Sequence, residues 1–377
     1  MAVNYRLVRR CGMERMAIPD VLRLRSGTRV GGAEAWGARR AEILELFTRE
    51  VYGHIPFVDS GIKAETVSDI DCIYNGTVNR SKQLITAMTD RGEYSFPVWT
   101  YFPAKGERNC PVFVYCMLHG QAEQYDLDGE EHMSVVPVEE IAARGYATVI
   151  YRVTDIAPDA YDGFRSGVFA ALDGDRGPDS WGTIAAWAWA GSRVMDYISL
   201  EKERFDPGRA SIIGHSRGGK TALWCGASDT RFRLVISNNS GCTGAAISRG
   251  KRGEDIAAIN RQFPHWFCEN YKKYNGHEEL LPIDQHMLLA AVAPRLLYVT
   301  SASEDLWADP DNELKSCRLA SAAYRLYGKE GLEAPEEIEL NRQYGDGNIA
   351  YHRRTGEHNL TEFDWKLFMD YADRKFR

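Results

Sequence analysis

No run of about 18 consecutive apolar residues occurs in the chain, so nothing in it reads as a membrane-spanning helix. Nor is there a basic excess. Lys and Arg number 46 against 53 Asp and Glu, a net charge of −7, which argues against a nucleic acid as principal partner and against a polybasic membrane anchor. The eight cysteines (11, 72, 110, 116, 225, 242, 268 and 317) form no C-x-x-C pair and are too sparse for a disulfide scaffold. They read as reduced, partly buried thiols. The nine histidines show no H-E-x-x-H and no other paired metal spacing, so no metal site is expected. The acidic loop Asp126–Glu131 lacks the full EF-hand pattern and reads as solvated. There is no G-x-G-x-x-G after a strand and no Walker sequence, and so no nucleotide cofactor is implied. Met1–Asp20 carries arginines but no apolar leader core, so the chain as given reads as cytoplasmic, or as secreted if a leader was removed beforehand. No repeat, low-complexity tract or Gly/Ser/Pro-rich linker divides it, which favours one domain over residues 1–377.

What remains is a chain with 44% apolar and 11% aromatic residues, enough to build a sizeable core and to exclude global disorder. Ala38–Val51 has apolar residues at helical spacing, with Gly53 as a stop. Lys63–Tyr101 reads as an antiparallel meander of short strands. An alternation follows. The buried strands are Pro111–Leu118, Ala147–Val153, Ala210–Gly214, Arg233–Ser237 and Arg295–Thr300, with a last strand over Gly347–Arg353. Between and after them lie helices over Val138–Arg144, Thr183–Leu200, Lys220–Ala227, His286–Val292, Glu313–Tyr327 and Thr361–Arg374. This order predicts an α/β fold: a mostly parallel central sheet covered on both faces, preceded by antiparallel strands. The polar and aromatic stretch 247–284 reads as an insertion or lid.

The sharpest chemical signal is Gly214-His215-Ser216-Arg217-Gly218, a G-x-S-x-G sequence with a strand entering it and a helix leaving it. That context is the nucleophile elbow of α/β-hydrolases. Small residues let strand and helix meet, and the serine is presented at a helix N-terminus, where a neighbouring N–H can face an oxyanion. A serine hydroxyl needs a base, and the base needs an orienting carboxylate. In this fold they follow in the order Ser, acid, His. Asp305, just past the strand Arg295–Thr300, is the expected acid, with Glu304 as the alternative. His358, in the loop Thr355–Leu360, is the expected base, with His352 as its competitor. His358 must be neutral to accept a proton, so activity should fall on acidification. The second oxyanion donor is expected after Pro111–Leu118, from the backbone N–H of Gln121 or Ala122. The Arg217 guanidinium is placed to add charge stabilisation. Lys220, one helical turn after Ser216, can face the same pocket. His265 and Trp266, within Phe263–Phe267, and Trp307 offer surfaces on which a sugar ring can stack.

Gly-His-Ser-Arg-Gly-Gly-Lys (214–220) resembles the G-C/H-S-R-x-G-K signature of the glucuronoyl esterases, carbohydrate esterase family 15, of bacterial type. Trp181–Trp189, Phe263–Phe267, Ser303–Pro310 and Gly356–His358 extend the likeness over much of the chain. The resemblance implies an α/β-hydrolase without cofactor that cleaves esters of 4-O-methyl-glucuronate with lignin alcohols. It implies Ser216 as nucleophile, His358 as base, Arg217 as oxyanion stabiliser, Lys220 on the uronate hydroxyls, and Trp307 lining the sugar site. Glu254 is matched, loosely, to a further sugar contact.

Two departures stand out. Many members carry the acid as a glutamate before a Ser-Gly pair, and here that position is Asn239, which moves the role to Asp305. Fungal members bridge the serine and histidine loops through cysteines, and here those positions are His215 and Asn359. The expected function is therefore hydrolysis of glucuronate esters, small or on oligosaccharides, with free glucuronate inhibiting through Arg217 and Lys220. The alternatives are a broader carbohydrate esterase, such as an acetyl xylan esterase, and a catalytically silent relative that binds carbohydrate.

Overall fold

The computed structural model describes residues 17–105 and 108–376. Most of the opening segment read for a leader, Cys11 included, lies outside them. The elements are, in order, α1 (Ala33–Phe47), β1 (Asp59–Ile73), β2 (Val78–Thr89), β3 (Gly92–Pro103), β4 (Cys110–Met117), α2 (His119–Gln124), α3 (Val138–Ala143) and β5 (Ala147–Arg152). Then come α4 (Gly167–Leu172), α5 (Thr183–Leu200), β6 (Phe205–His215), α6 (Arg217–Ser228), β7 (Leu234–Asn238), α7 (Ile256–Gln262) and α8 (Gln285–Ala290). The chain closes with β8 (Leu296–Ala302), α9 (Pro310–Arg325), β9 (Gln343–Tyr344), β10 (Ile349–Arg354) and α10 (Glu362–Phe376).

The strands form one ten-stranded sheet in the order β1-β2-β3-β5-β4-β6-β7-β8-β10-β9. Strands β1 to β3 are the expected meander, and β3 joins the rest antiparallel to β5. From β5 through β4, β6, β7 and β8 to β10 every pairing is parallel. This is the α/β-hydrolase arrangement.

Continuous apolar runs were expected of strands buried on both faces, and the side chains of β4 divide accordingly. Val112, Val114 and Cys116 enter a core shared with α1, α5, α6, α8 and α9. Phe113, Tyr115 and Met117 enter the opposite core, under α3 and α10. Both faces are thus covered, and catalytic groups are confined to loops at the strands' carboxyl ends. The helix α1 begins and ends earlier than its apolar spacing suggests. A single π turn, Thr48–Tyr52, carries the chain on to Gly53, where a Cβ would lie 2.4 Å from the Ser180 carbonyl oxygen. The short helices α2 and α4 have six residues each, too few for a period to show. The 247–284 insertion is anchored. Ile256, Ile259, Trp266, Phe267 and Tyr271 are buried in the first core, and the Thr183 and Ile184 N–H groups donate to the carbonyls of His265 and Trp266 at 2.9 and 3.2 Å. Among the described residues no helix is long and apolar enough to cross a membrane.

Candidate active site

Ser216 stands between β6 and α6 with φ 56° and ψ −124°. A non-glycine residue in that region costs about 1–3 kcal/mol and persists only where its surroundings hold it. Here its N–H donates to the Asn238 carbonyl at 2.9 Å, and its own carbonyl accepts from the N–H groups of Gly219 and Lys220 at 2.9 and 3.2 Å. A Cβ at Gly214 would lie 2.0 Å from the Gly218 carbonyl oxygen, which is why the elbow requires glycine there. Behind Ser216 run the twelve residues of α6, whose N-terminal end favours negative charge.

The loops after β8 and β10 bring Asp305 to His358. Nδ1 of His358 lies 2.6 Å from Oδ2 of Asp305. The His358 side chain is 43% exposed, so its other nitrogen is open to the cavity, whereas that of Asp305 is 5% exposed. Burial would raise the Asp305 pKa, but the hydrogen bond and charge of His358 and the Ala308 N–H hold it below the usual carboxylate range. Glu304, the alternative acid, is exposed. His352, the alternative base, is wholly buried and hydrogen-bonds Tyr298, Thr300 and Asp364. Asn239 is buried at φ 46°, its Nδ2 donating to the Asn359 carbonyl at 3.5 Å. The His215 ring packs 4.6 Å from that of His358 and pairs through Nδ1 with Asn238 Oδ1 at 2.6 Å. Burial, then the neighbouring His358, push the His215 pKa down to about 3, so it remains neutral.

Ser216, His358, Arg217, Gln121 and Asp159 line one cavity of about 390 Å³, together with Leu118, His119, Gly120, Gln124, Val135, His215 and Asn359. Among the described residues no hydrogen bond joins Ser216 Oγ to His358, a contact that unliganded sites commonly complete only with substrate. Gly120 and Gln121 face this cavity, but Ala122 does not line it. The Ala122 N–H is spent inside α2 on the Leu118 carbonyl at 2.8 Å, which removes it as an oxyanion donor. Gln121 Oε1 accepts from the Leu118 N–H at 3.1 Å and from Tyr115 Oη at 2.8 Å, which fixes the turn.

The Arg217 guanidinium lies over Trp266 and Phe263, 4.8 and 5.2 Å from their ring centres, and its Nη1 donates to Asp159 Oδ2. The other Asp159 oxygen accepts from Trp266 Nε1 at 2.8 Å and lies 3.4 Å from His265 Nε2. Burial alone would raise Asp159, but His265, Arg217 and Trp266 together bring it down to about 2. His265 and Trp266, expected as open sugar platforms, are 4% and 3% exposed and are taken up by this carboxylate. Lys220 is also buried. Its Nζ donates to the Ser240 carbonyl at 2.6 Å and lies 3.9 Å from Glu254 Oε2. Burial draws its pKa down, with Glu254 opposing. The Glu254 N–H donates to the Trp307 carbonyl at 3.0 Å, which couples these two residues, and the Trp307 ring is 53% exposed. None of Lys220, Glu254, His265, Trp266 and Trp307 lines the cavity that holds Ser216.

Sequence reasoning missed two supports. Asp159 lies between β5 and α4, in a stretch without period or motif. Arg354, 7% exposed, donates to the carbonyls of Thr355, Glu357 and Asn359 at 3.1, 2.5 and 2.8 Å, gripping the loop that carries His358. Its Nε is held by Asp364 at 3.1 Å. Thr361-x-x-Asp364 is a capping pattern that marks this site in the sequence. The Thr361 N–H and Oγ1 both donate to Asp364 Oδ2 at 2.8 Å.

A ten-stranded α/β sheet with a strained serine at the elbow and a His–Asp pair facing it defines a carboxylic ester hydrolase of the α/β-hydrolase class. The family model described as "Glucuronyl esterase, fungi" matches residues 126–328. "Carbohydrate esterase MZ0003", from an unknown prokaryotic organism, is 34% identical over 94% of this chain and 89% of its own length. A "4-O-methyl-glucuronoyl methylesterase" of Podospora anserina is 27% identical over 76% of this chain, which spans 56% of that relative. The solved "Glucuronoyl Esterase from Solibacter usitatus" superimposes with a TM-score of 0.86 at 36% identity, covering 96% of this chain and 98% of that one. The chain belongs to the glucuronoyl esterase family.

Proposed function

We propose that this chain hydrolyses esters of glucuronic acid or its 4-O-methyl derivative through an acyl-enzyme on Ser216. The observation that carries the reading is the 2.6 Å pairing of His358 Nδ1 with Asp305 Oδ2 in a cavity shared with the strained Ser216. Asp305 fixes the tautomer in which His358 Nε2 is the proton acceptor. His358 takes the Ser216 hydroxyl proton as Oγ attacks the ester carbonyl. It then passes that proton to the leaving alkoxide, which departs as the alcohol. Water repeats the sequence on the acyl-enzyme and releases glucuronate. The N-terminal end of α6 and the Arg217 guanidinium face the charge that develops on the carbonyl oxygen. Outside the cavity that holds Ser216, the exposed Trp307 ring offers a face for the sugar beside the buried Lys220–Glu254 pair.

The acyl group is drawn from the relative named for 4-O-methyl-glucuronoyl methyl esters. A second reading, a carbohydrate esterase of wider range, is favoured by the broader name of the 34%-identical relative. The experiment compares hydrolysis of benzyl glucuronate and p-nitrophenyl acetate by the wild type and Ser216→Ala. Ser216-dependent cleavage of the glucuronate ester, with weak acetate cleavage, is expected. Acetate cleavage alone moves the assignment to the wider class, and no cleavage of either removes the esterase reading.

A further inference from the structure

The expectation that free glucuronate is held by Arg217 and Lys220 meets an obstacle in the site itself. Both cations already have carboxylate partners. Arg217 Nη1 is bound to Asp159 Oδ2, and Lys220 Nζ lies 3.9 Å from Glu254 Oε2. The first pair belongs to the cavity that holds Ser216, and the Asp159 side chain there is only 4% exposed. Its carboxylate has no freedom to leave. Trp266 Nε1 holds one oxygen at 2.8 Å, His265 Nε2 stands 3.4 Å from the same oxygen, and Arg217 occupies the other. The grip on Arg217 is at one nitrogen. Its Nε makes no hydrogen bond among the described residues, and 30% of the side chain remains exposed toward the cavity. A built-in carboxylate thus sits within the reacting cavity, fixed to the cation beside the nucleophile.

The chemistry of the reaction gives this a purpose. The substrate ester is neutral. Hydrolysis adds water across the acyl–oxygen bond and yields a neutral alcohol and a uronic acid, which loses its proton to become an anion at neutral pH. An unopposed guanidinium beside Ser216 would form a charge-assisted, bidentate pair with that anion. The enzyme would then bind its product far better than its substrate.

We propose that Asp159 is a positioning residue that acts through Arg217. It fixes the guanidinium against Trp266 and cancels its charge toward a free carboxylate, so that the site accepts the neutral uronate ester and releases the uronate anion. The inference rests on the uronate-ester reading for its substrate, but its test does not depend on turnover.

The test is calorimetric binding of glucuronate, with glucose as the uncharged control, to the wild type, Asp159→Asn, Arg217→Ala and the double variant, after thermal melting has shown each to be folded. Asp159→Asn is expected to bind glucuronate at least about tenfold more tightly than the wild type, with glucose affinity within about twofold. In the Arg217→Ala background the same substitution should change glucuronate affinity by less than about threefold, because the cation it unmasks is gone. Asp159→Ser, smaller and also uncharged, takes its place if the asparagine variant does not fold. Unchanged glucuronate affinity in Asp159→Asn overturns the proposal. So does a gain that persists without Arg217, or an equal gain for glucose. Benzyl glucuronate turnover by the wild type is measured on the same preparation. Its absence removes the substrate reading alone, whereas failure of the calorimetric pattern beside normal turnover removes the role of Asp159 alone.

Discussion

His358 Nδ1 and Asp305 Oδ2 lie 2.6 Å apart, so the carboxylate paired with His358 comes from the loop after β8 and not from the loop after β7, where Asn239 stands. The asparagine cannot supply a negative charge to an imidazolium. Its own place is explained by its backbone, at φ 46°, a conformation asparagine tolerates better than most residues.

Removing the nucleophile or the base should therefore be severe and non-additive. Ser216→Ala and His358→Ala are each expected to lower kcat by about 10³-fold or more, with the double variant no worse than the poorer single one. Steady-state rates on benzyl glucuronate check this, and multiplicative losses would show that the two groups do not act as one unit.

The choice of acid is tested separately. Asp305→Asn should cost about 10²-fold or more in kcat by losing the correct tautomer and the stabilised imidazolium. Glu304→Gln, on an exposed side chain, should stay within about twofold, and Asn239→Asp should be mild. Full activity in Asp305→Asn would hand the role to another carboxylate.

The Arg354 grip predicts a kinetic signature. Arg354→Met keeps the stem but removes three donors to the loop of His358. The expected outcome is a fall in kcat of about tenfold or more with KM nearly unchanged, since the loss lies in the placing of the base. A variant that changes KM alone would place the effect on substrate binding instead.

Stability offers a pH test at Glu313. This carboxyl is fully buried beneath the turn after β7, accepting from the Gly241 N–H at 2.9 Å and Ser301 Oγ at 2.6 Å. Burial raises its pKa from 4.5 to about 7, with those two hydrogen bonds opposing. In the unfolded chain the proton leaves near pH 4.5 and in the folded chain near pH 7, so its contribution to stability declines as pH rises across that window. Melting curves of wild type and Glu313→Gln between pH 4.5 and 7 should converge or cross in the variant's favour as pH rises. A constant difference would show that Glu313 keeps one charge state throughout.

Much of the scaffold was legible because burial on both faces writes long apolar runs, as in β4 and β8, and because α5 opens on an unbroken apolar run, Ile184–Ala190. The place of Ser216 at the elbow and the meeting of Asp305 with His358 were legible because the order of these residues and their positions after strands follow from the fold's geometry. What stayed hidden depends on contacts between distant segments. Asp159 meets Arg217 and Trp266 across 58 and 107 positions of sequence, and no local pattern encodes such a meeting. Ala122 was misjudged because six residues are too few to show that α2 would consume its N–H. His265 and Trp266 read as a platform because an aromatic cluster looks alike whether its edges face a ligand or a buried carboxylate.

The loops after β8 and β10 are sewn to each other before any substrate arrives. The Ser303 N–H donates to the Arg354 carbonyl at 2.9 Å, the Glu304 N–H to that of Gly356 at 3.0 Å, and the Gly356 N–H to Ser303 Oγ at 3.2 Å. Acid and base therefore travel as one preassembled cassette on adjacent parallel strands, while the serine, Lys220 and the aromatic insertion belong to other parts of the scaffold. The insertion is itself tied to the loop after β8: the Glu254 N–H donates to the Trp307 carbonyl at 3.0 Å, and Lys251 Nζ donates to the carbonyls of Trp307 and Ala308 at 3.0 Å. A change in the insertion therefore reaches the strand-end loop that carries Asp305, while the Asp305–His358 pairing itself is closed within the two loops.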